Sequence, residues 1–231
     1  MAAVNCVLVC PAWNEEPSVP AVVESARRAG HPIVVVDDGS HDATAAVARA
    51  AGAEVVRHAV NLGVGAALQT GFRVALRMGA DTVAQVDADG QHDVAQVGAL
   101  LDALSGGTQL VIGSRFLEGA PQGGARGLAM RSLARRASKI TGTRITDASS
   151  GFRAIGLPLL EAFADRFPSS YLGDTYGAVL LASRLGFGVA EVPVQMSDRT
   201  HGTSSAGTVR ASLLVLRAVA SSLTEETRRR S

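Results

Sequence analysis

Short apolar runs alternate with helix-patterned segments through the first half of this 231-residue chain. That rhythm constrains the fold more than any other feature. Asn5 to Cys10, Pro32 to Val36, Glu54 to Arg57, Thr82 to Val86 and Leu110 to Ile112 read as strands. Val19 to Ala29, Ala43 to Ala51, Ala66 to Met78 and Val94 to Leu104 read as the helices between them. Strands that are apolar throughout need cover on both faces, so the pattern predicts an α/β protein: a Rossmann-like, mostly parallel sheet flanked by helices. The length supports a single domain and leaves little room for a second core. Beyond Ile112 the pattern loosens. Leu117 to Gly127 reads as a Gly-rich loop, Leu128 to Ile140, Leu159 to Phe163 and Ala178 to Leu185 as helices, and Val189 to Val194 as a strand. Met196 to Gly207 reads as a polar loop. The main domain is expected to span 1–207, with a C-terminal amphipathic helix and tail over 208–231.

Composition removes several function classes. A hydrophobic content of 47% excludes a disordered chain. A net charge of +1 argues against a whole-surface nucleic-acid binder. Cys6 and Cys10 sit four residues apart on one strand, about 13 Å along it, too far for a disulfide. His31, His41, His58, His92 and His201 show no zinc-ligand spacing. No secretory signal opens the chain and no uncharged apolar run approaches membrane-spanning length. The expectation is a reduced, cytoplasmic protein without a membrane span.

The acids fall at strand ends. Asp37-Asp38-Gly39-Ser40 follows the second strand and Asp87-Ala88-Asp89-Gly90-Gln91 the fourth. Open parallel sheets gather ligands beyond the carboxyl ends of their strands. Asp37 and Asp38 also suit a plain turn with Ser40 or Asp42 capping the next helix, but two such clusters on one rim favour a site. Asp87 and Asp89 are two residues apart, so an extended backbone turns both carboxylates to one side. With the amide oxygen of Gln91 they suit Mg²⁺ or Mn²⁺, hard cations that keep waters and bind substrate phosphates.

These residues carry a resemblance. Pro11-Ala12-Trp13-Asn14-Glu15, Asp37-Asp38-Gly39-Ser40, Asn61-Leu62-Gly63-Val64-Gly65-Ala66-Ala67, Asp87-Ala88-Asp89-Gly90-Gln91-His92 and Gly113-Ser114-Arg115 resemble, in order and spacing, the inverting family 2 glycosyltransferases of GT-A fold. Within that family the run looks most like the polyprenyl-phosphate sugar transferases such as dolichyl-phosphate mannose synthases, over roughly residues 4 to 205. The resemblance implies that Pro11, Trp13 and Glu15 form a nucleoside-binding lip. It implies that Val36 and Asp38, with Asp37 beside them, meet base or ribose, and that Gly63 lies in a turn under the nucleotide. Asp87, Ala88 and Asp89 would line the nucleotide-sugar site, with Asp87, Asp89 and Gln91 as metal and diphosphate ligands. Arg115 would face the acceptor or donor phosphate.

From Gly119 to Thr146 there is no acidic residue, but Arg126, Arg131, Arg135, Arg136, Lys139 and Arg144 occur there. Arg131, Arg135 and Lys139 share one helical face. That face is either a solvated surface or a landing site for an acceptor phosphate or anionic lipid headgroups, and Arg131 matches the family's second phosphate-facing arginine. Asp147-Ala148-Ser149-Ser150-Gly151-Phe152-Arg153 resembles the family's segment beside the acceptor. Asp174 falls where many relatives carry a catalytic base, and it suits a helix N-cap equally well. Arg199-Thr200-His201-Gly202-Thr203-Ser204-Ser205 resembles a mobile loop of the family, with Arg199 toward the acceptor phosphate and Ser205 where a lysine is usual. The stripe Val209, Leu213, Leu216, Ala220 and Leu223 could lie on a membrane surface, pair subunits in a homo-oligomer or pack on the chain's own core.

The resulting expectation is a metal-dependent inverting transferase that moves a sugar, mannose, from a nucleotide-diphosphate donor, GDP-mannose, to a polyprenyl phosphate at the inner membrane face. Asp89 and Arg115 would be catalytic. The alternatives are a UDP-sugar enzyme with a soluble hydroxyl acceptor and Asp174 as base, and a nucleotide-sugar-binding module without turnover.

Overall fold

The computed structural model describes residues 5–118, 124–168 and 173–196, apart from the side chains of 125 and 126. The strands are β1 (Cys6–Ala12), β2 (Ile33–Asp37), β3 (Glu54–Arg57), β4 (Thr82–Gln85), β5 (Thr108–Ser114), β6 (Arg153–Gly156) and β7 (Gly188–Pro193). The helices are α1 (Val19–Arg28), α2 (Thr44–Ala51), α3 (Val64–Arg77), α4 (Val97–Asp102), α5 (Gly124–Thr141), α6 (Leu157–Asp165) and α7 (Ala178–Arg184). Among the described residues the strands form one seven-stranded sheet in the order β3-β2-β1-β4-β6-β5-β7. β1, β2, β3 and β4 pair in parallel, and β5 pairs in parallel with β7.

β6 runs antiparallel to both β4 and β5. It was not foreseen from the sequence, where Arg153 to Gly156 is too short and too mixed to show a period. Its reversal matters because Gln85 at the end of β4 is in register with Arg153 at the start of β6. The turn before β6 therefore reaches the same rim as the carboxyl ends of the parallel strands.

Alternation along the strands splits the core into two layers. Val7, Val9, Val34, Val36 and Val83 face a cluster that includes Leu68 and Phe72 of α3, Leu133 of α5, Leu159 and Phe163 of α6, and Val179 of α7. Cys6, Leu8, Cys10, Val35 and Ala84 face the other layer, with Val22, Val23, Ala48 and Leu100. Both cysteines are buried and free. Helix α5 begins at Gly124, inside the segment expected to be loop. The helix expected over Val94 to Leu104 divides into a 3-10 turn at Val94–Gln96 and α4. The turn is capped by Asp93, whose carboxylate accepts from the Ala95 amide at 3.0 Å. Among the described residues no helix is long and apolar enough to cross a membrane. The expected loop over Met196 to Gly207 falls outside the described residues beyond Met196, as do the expected final helix and Arg199, His201 and Ser205.

Candidate active site

The rim begins with a latch between two turns. Asn14, after β1, adopts φ 54°, a left-handed conformation that asparagine tolerates. Its amide donates to Ser40 Oγ at 2.8 Å and its Oδ1 accepts from the His41 amide at 2.8 Å. Trp13 is thereby held out on the rim, 44% exposed. Pro11 is half-buried beneath it in register with Val36. The Glu15 carboxylate accepts from Ser18 Oγ at 2.6 Å, securing the start of α1.

The acids after β2 turn inward. Asp37 Oδ1 accepts from the Ser40 amide at 2.9 Å, and Oδ2 lies 3.1 Å from Arg57 Nε in an ion pair without hydrogen-bond alignment. Asp38 Oδ1 accepts from the Leu62 amide at 2.9 Å and from His58 Nδ1 at 2.7 Å, while Oδ2 accepts from the Gly63 amide at 2.7 Å. His58 Nε2 in turn lies 2.9 Å from Thr70 Oγ1. The Asp38 carboxylate thereby holds the 58–63 turn against Gly39 and shapes the pocket wall. Val36 is fully buried in the core, and a Cβ at Gly71 would come 3.3 Å from its methyl. Gly39 is required twice, by φ +72° and because a Cβ there would lie 2.6 Å from the Val60 carbonyl carbon.

The acids after β4 differ. Asp87 is open, its side chain 40% exposed, whereas Ala88 and Asp89 are buried. Asp89 Oδ1 accepts from the Gln91 amide at 3.0 Å. His92 orients Asp87 from below: its Nδ1 accepts from the Asp87 amide at 2.9 Å, which leaves Nε2 as the protonated nitrogen of the neutral ring, 3.6 Å from Asp87 Oδ2. The imidazole is stacked on Phe152 at 4.9 Å. Burial, and then the negative charges of Asp87, Asp89 and Glu15, push the Cys10 thiol well above its ordinary range. All three acids therefore bear on the end of β1.

Opposite lies a chain of clamps. Glu191 on β7 accepts from the Thr146 amide at 2.8 Å, the Thr146 hydroxyl at 2.7 Å and the Asp147 amide at 2.7 Å. Burial still raises its carboxyl above the usual range. Asp147, buried, receives Arg115 Nε at 2.6 Å and Nη2 at 2.9 Å in a two-pronged pair. Burial lowers the Arg115 pKa, but the hydrogen bond and charge of Asp147, and then the charge of Asp87, outweigh it and leave the guanidinium raised. Gly151 approaches so closely that a Cβ there would sit 3.2 Å from Asp87 Oδ1. Asp174 lies in a π-helical turn at Gly173–Gly177, its carboxyl raised by burial against the lowering charge of Arg153, with Asp87 adding to the rise. Arg131 is half-buried on α5.

The region comprising Trp13, Glu15, Asp87, Asp89, Arg115, the 147–151 turn and Asp174 thus forms one rim. His58, His92, Asp147, Glu191 and Arg153 hold it together, and no local spacing in the sequence marks them for that work. The family model described as Glycosyl transferase family 2 matches residues 7–162. The chain belongs to this family. Among its relatives, the polyprenol monophosphomannose synthase of Mycolicibacterium smegmatis is 32% identical over 214 residues, covering 86% of this chain and 79% of the relative. The undecaprenyl-phosphate mannosyltransferase of Micrococcus luteus is 31% identical over 209 residues, covering 85% of each. A solved structure of glucosyl-3-phosphoglycerate synthase from Mycobacterium tuberculosis, in complex with Mn²⁺, uridine-diphosphate-glucose and phosphoglyceric acid, superposes with TM-score 0.63 at 25% identity, covering 87% of this chain and 74% of that one. The fold is therefore GT-A and the family 2 chain is a glycosyltransferase, which sets aside the reading of a binding module without turnover.

Proposed function

We propose that this family 2 glycosyltransferase moves mannose from GDP-mannose to a polyprenyl phosphate, inverting the anomeric carbon. The observation that carries the proposal is the meeting of an acidic edge and a guanidinium edge on one rim: the turn whose Asp147 and Ser149 hold Arg115 comes so close to Asp87 that a Cβ at Gly151 would lie 3.2 Å from its Oδ1. The two named polyprenol mannosyl transferases, each aligned over most of its length, support the acceptor class.

The donor set fits a hard divalent ion. Asp87 offers an exposed carboxylate and Asp89 a buried one at the same turn, with Gln91 beside them. Among the described residues no three His, Cys, Asp or Glu side chains converge into a closed cage. Two carboxylates and an amide oxygen leave positions open for the water and phosphate oxygens with which Mg²⁺ or Mn²⁺ complete their shell. Asp87, Asp89 and Gln91 would hold the ion, and the chemistry it supplies is neutralisation of charge on a departing diphosphate. The chain's own residues do the rest. Trp13, Pro11 and the turn around Gly63 frame the nucleoside. Arg115, with Nε and Nη2 fixed by Asp147, turns its remaining edge to phosphate. A phosphate oxygen of the acceptor attacks the anomeric carbon as the bond to the diphosphate oxygen breaks on the opposite face. The acceptor is already an anion, so no protein base is needed, and the main catalytic effect is electrostatic.

A lipid acceptor must be met at a surface. The solvent face of α5 carries Leu128, 61% exposed, with exposed Arg135 and Lys139 in line with it. We assign this face to peripheral contact with anionic lipid, on the cytoplasmic side. Thermal shift against GDP- and UDP-sugars with Mn²⁺ tests the donor: the cognate one at a hundredfold excess over Kd adds about 2.7 kcal/mol. Transfer to undecaprenyl phosphate in vesicles tests the acceptor, and absence of mannolipid with every GDP-sugar overturns the assignment.

A second reading has one observation of its own. Burial raises the Asp174 carboxyl, which suits a general base for a soluble hydroxyl acceptor, and phosphoglyceric acid is bound in the solved relative. Asp174→Asn separates the two, being near-silent for a phosphate acceptor and severe for a hydroxyl.

A further inference from the structure

The largest fully buried side chain among the described residues is that of Arg153, 1% exposed, at the first residue of β6. Its guanidinium forms no carboxylate fork. Nε donates to the Ser150 carbonyl at 2.7 Å and Nη2 to the Ala148 carbonyl at 3.2 Å. Nη1 donates to the Thr175 carbonyl at 2.8 Å and the Asp174 carbonyl at 3.3 Å. One planar cation therefore ties the turn before β6 to the π-helical turn of Asp174. Burial lowers its pKa to about 10, against the charges of Asp174, Asp147, Asp87 and Glu191, which hold it up. Burying an arginine is costly unless its donors are satisfied, and here four backbone carbonyls satisfy them.

We infer that Arg153 is a positioning residue for the acceptor side, a clamp whose four carbonyl bonds set the 147–151 turn and the Asp174 turn at a fixed separation on that side of the cleft. The functional part of this inference rests on the proposed acceptor role of the 147–151 segment. The geometry explains why Gly151 lies against Asp87: Ser150 and Ala148 are drawn inward by the guanidinium, and a larger residue at 151 would strike the Asp87 carboxylate. It also explains the choice of arginine. Five donors in a rigid plane span two turns at once, whereas the three donors of a lysine radiate from one point.

Two measurements on Arg153→Lys and Arg153→Met test the clamp. Hydrogen exchange reads it without reference to any substrate. Amides of 148–152 and 174–177 should exchange at least tenfold faster in both variants, with β1 and β2 unchanged. Faster exchange in only one turn, or throughout the sheet, overturns the clamp. Steady-state transfer from GDP-mannose with Mn²⁺ to undecaprenyl phosphate reads its consequence. Acceptor KM should rise at least tenfold and kcat fall at least tenfold, while donor KM stays within threefold. Equal losses for donor and acceptor, or an acceptor KM within twofold of the parent, overturn the positioning role. Arg153→Lys is the deciding variant if Arg153→Met does not fold. If the parent protein does not transfer to this acceptor, the proposed function fails, and the exchange result still decides the clamp.

Discussion

The two sides of the cleft secure their acids with different mixtures of partners. On the side built by β1, β2 and β3, Asp37 and Asp38 are held mainly by backbone amides of nearby turns, from Ser40, Leu62 and Gly63. On the side built by β5, β6 and β7, Asp147 and Glu191 link segments far apart in sequence, and their partners include Arg115 and the Thr146 hydroxyl. Asp37 closes its own turn and Asp38 ties that turn to the 58–63 segment, which makes one wall. Glu191 holds the Asp147 amide while Asp147 holds Arg115, a linked network in which one loss is felt at several places.

Asp89 stands between the two sides, and its loss should have the largest effect. Asp89→Ala is expected to lower turnover at least a thousandfold, about 4 kcal/mol, with the far-UV circular dichroism spectrum unchanged. Turnover within tenfold of the parent would remove the acidic edge from the mechanism. Gly39→Ala tests the stiffness of the amide-held wall. It should cost about 3 kcal/mol in urea unfolding, since it adds backbone strain to a clash with Val60. Gly63→Ala has open space around its Cβ, so strain alone should cost it about 1 kcal/mol.

The network side should respond differently to losing an arginine. Arg115→Ala leaves Asp147 buried without its cation and should cost about 2 kcal/mol. Arg57→Ala removes a guanidinium that is 53% exposed, and Asp37 keeps the Ser40 amide, so its cost should stay below about 1 kcal/mol. Equal costs would erase the distinction between the two sides. The smallest effect is electrostatic. Burial raises the Glu191 pKa in the fold, so the native state holds this proton more tightly than the unfolded chain. Stability from this group is full below the unfolded carboxylate pKa and is lost as pH rises through the raised one. The stability of the parent minus that of Glu191→Gln should therefore fall as pH rises through the carboxylate range.

This contrast also decides what could be read in advance. Asp-Gly and Asn-x-Gly turns have short-range signatures, so Asp37 to Ser40 and Asn61 to Gly65 stood out, as did Asp87 and Asp89 after an apolar strand. The parallel half of the sheet was legible for the same reason, since each strand is followed at once by its helix. Glu191 and His58 were silent because Thr146, Asp147 and Asp38 lie 20 to 45 residues from them, and the reach of Arg153 to the 174–175 carbonyls, 21 and 22 residues on, has no local spacing to mark it. A motif fixes position in the chain but not the direction of a side chain, so the burial of Val36 and the amide partners of Asp38 were not legible. Strand β6 was missed because four residues are too few to show a period.

Because β6 opposes both neighbours, its alignment is counted from its own first residue. Removing one residue from 147–151 would either drag that start away from Gln85 or turn every later side chain to the other layer, putting Ala154 where a cation belongs. The length of this turn is therefore held by the ladder of the sheet, even at positions whose side chains are free to differ.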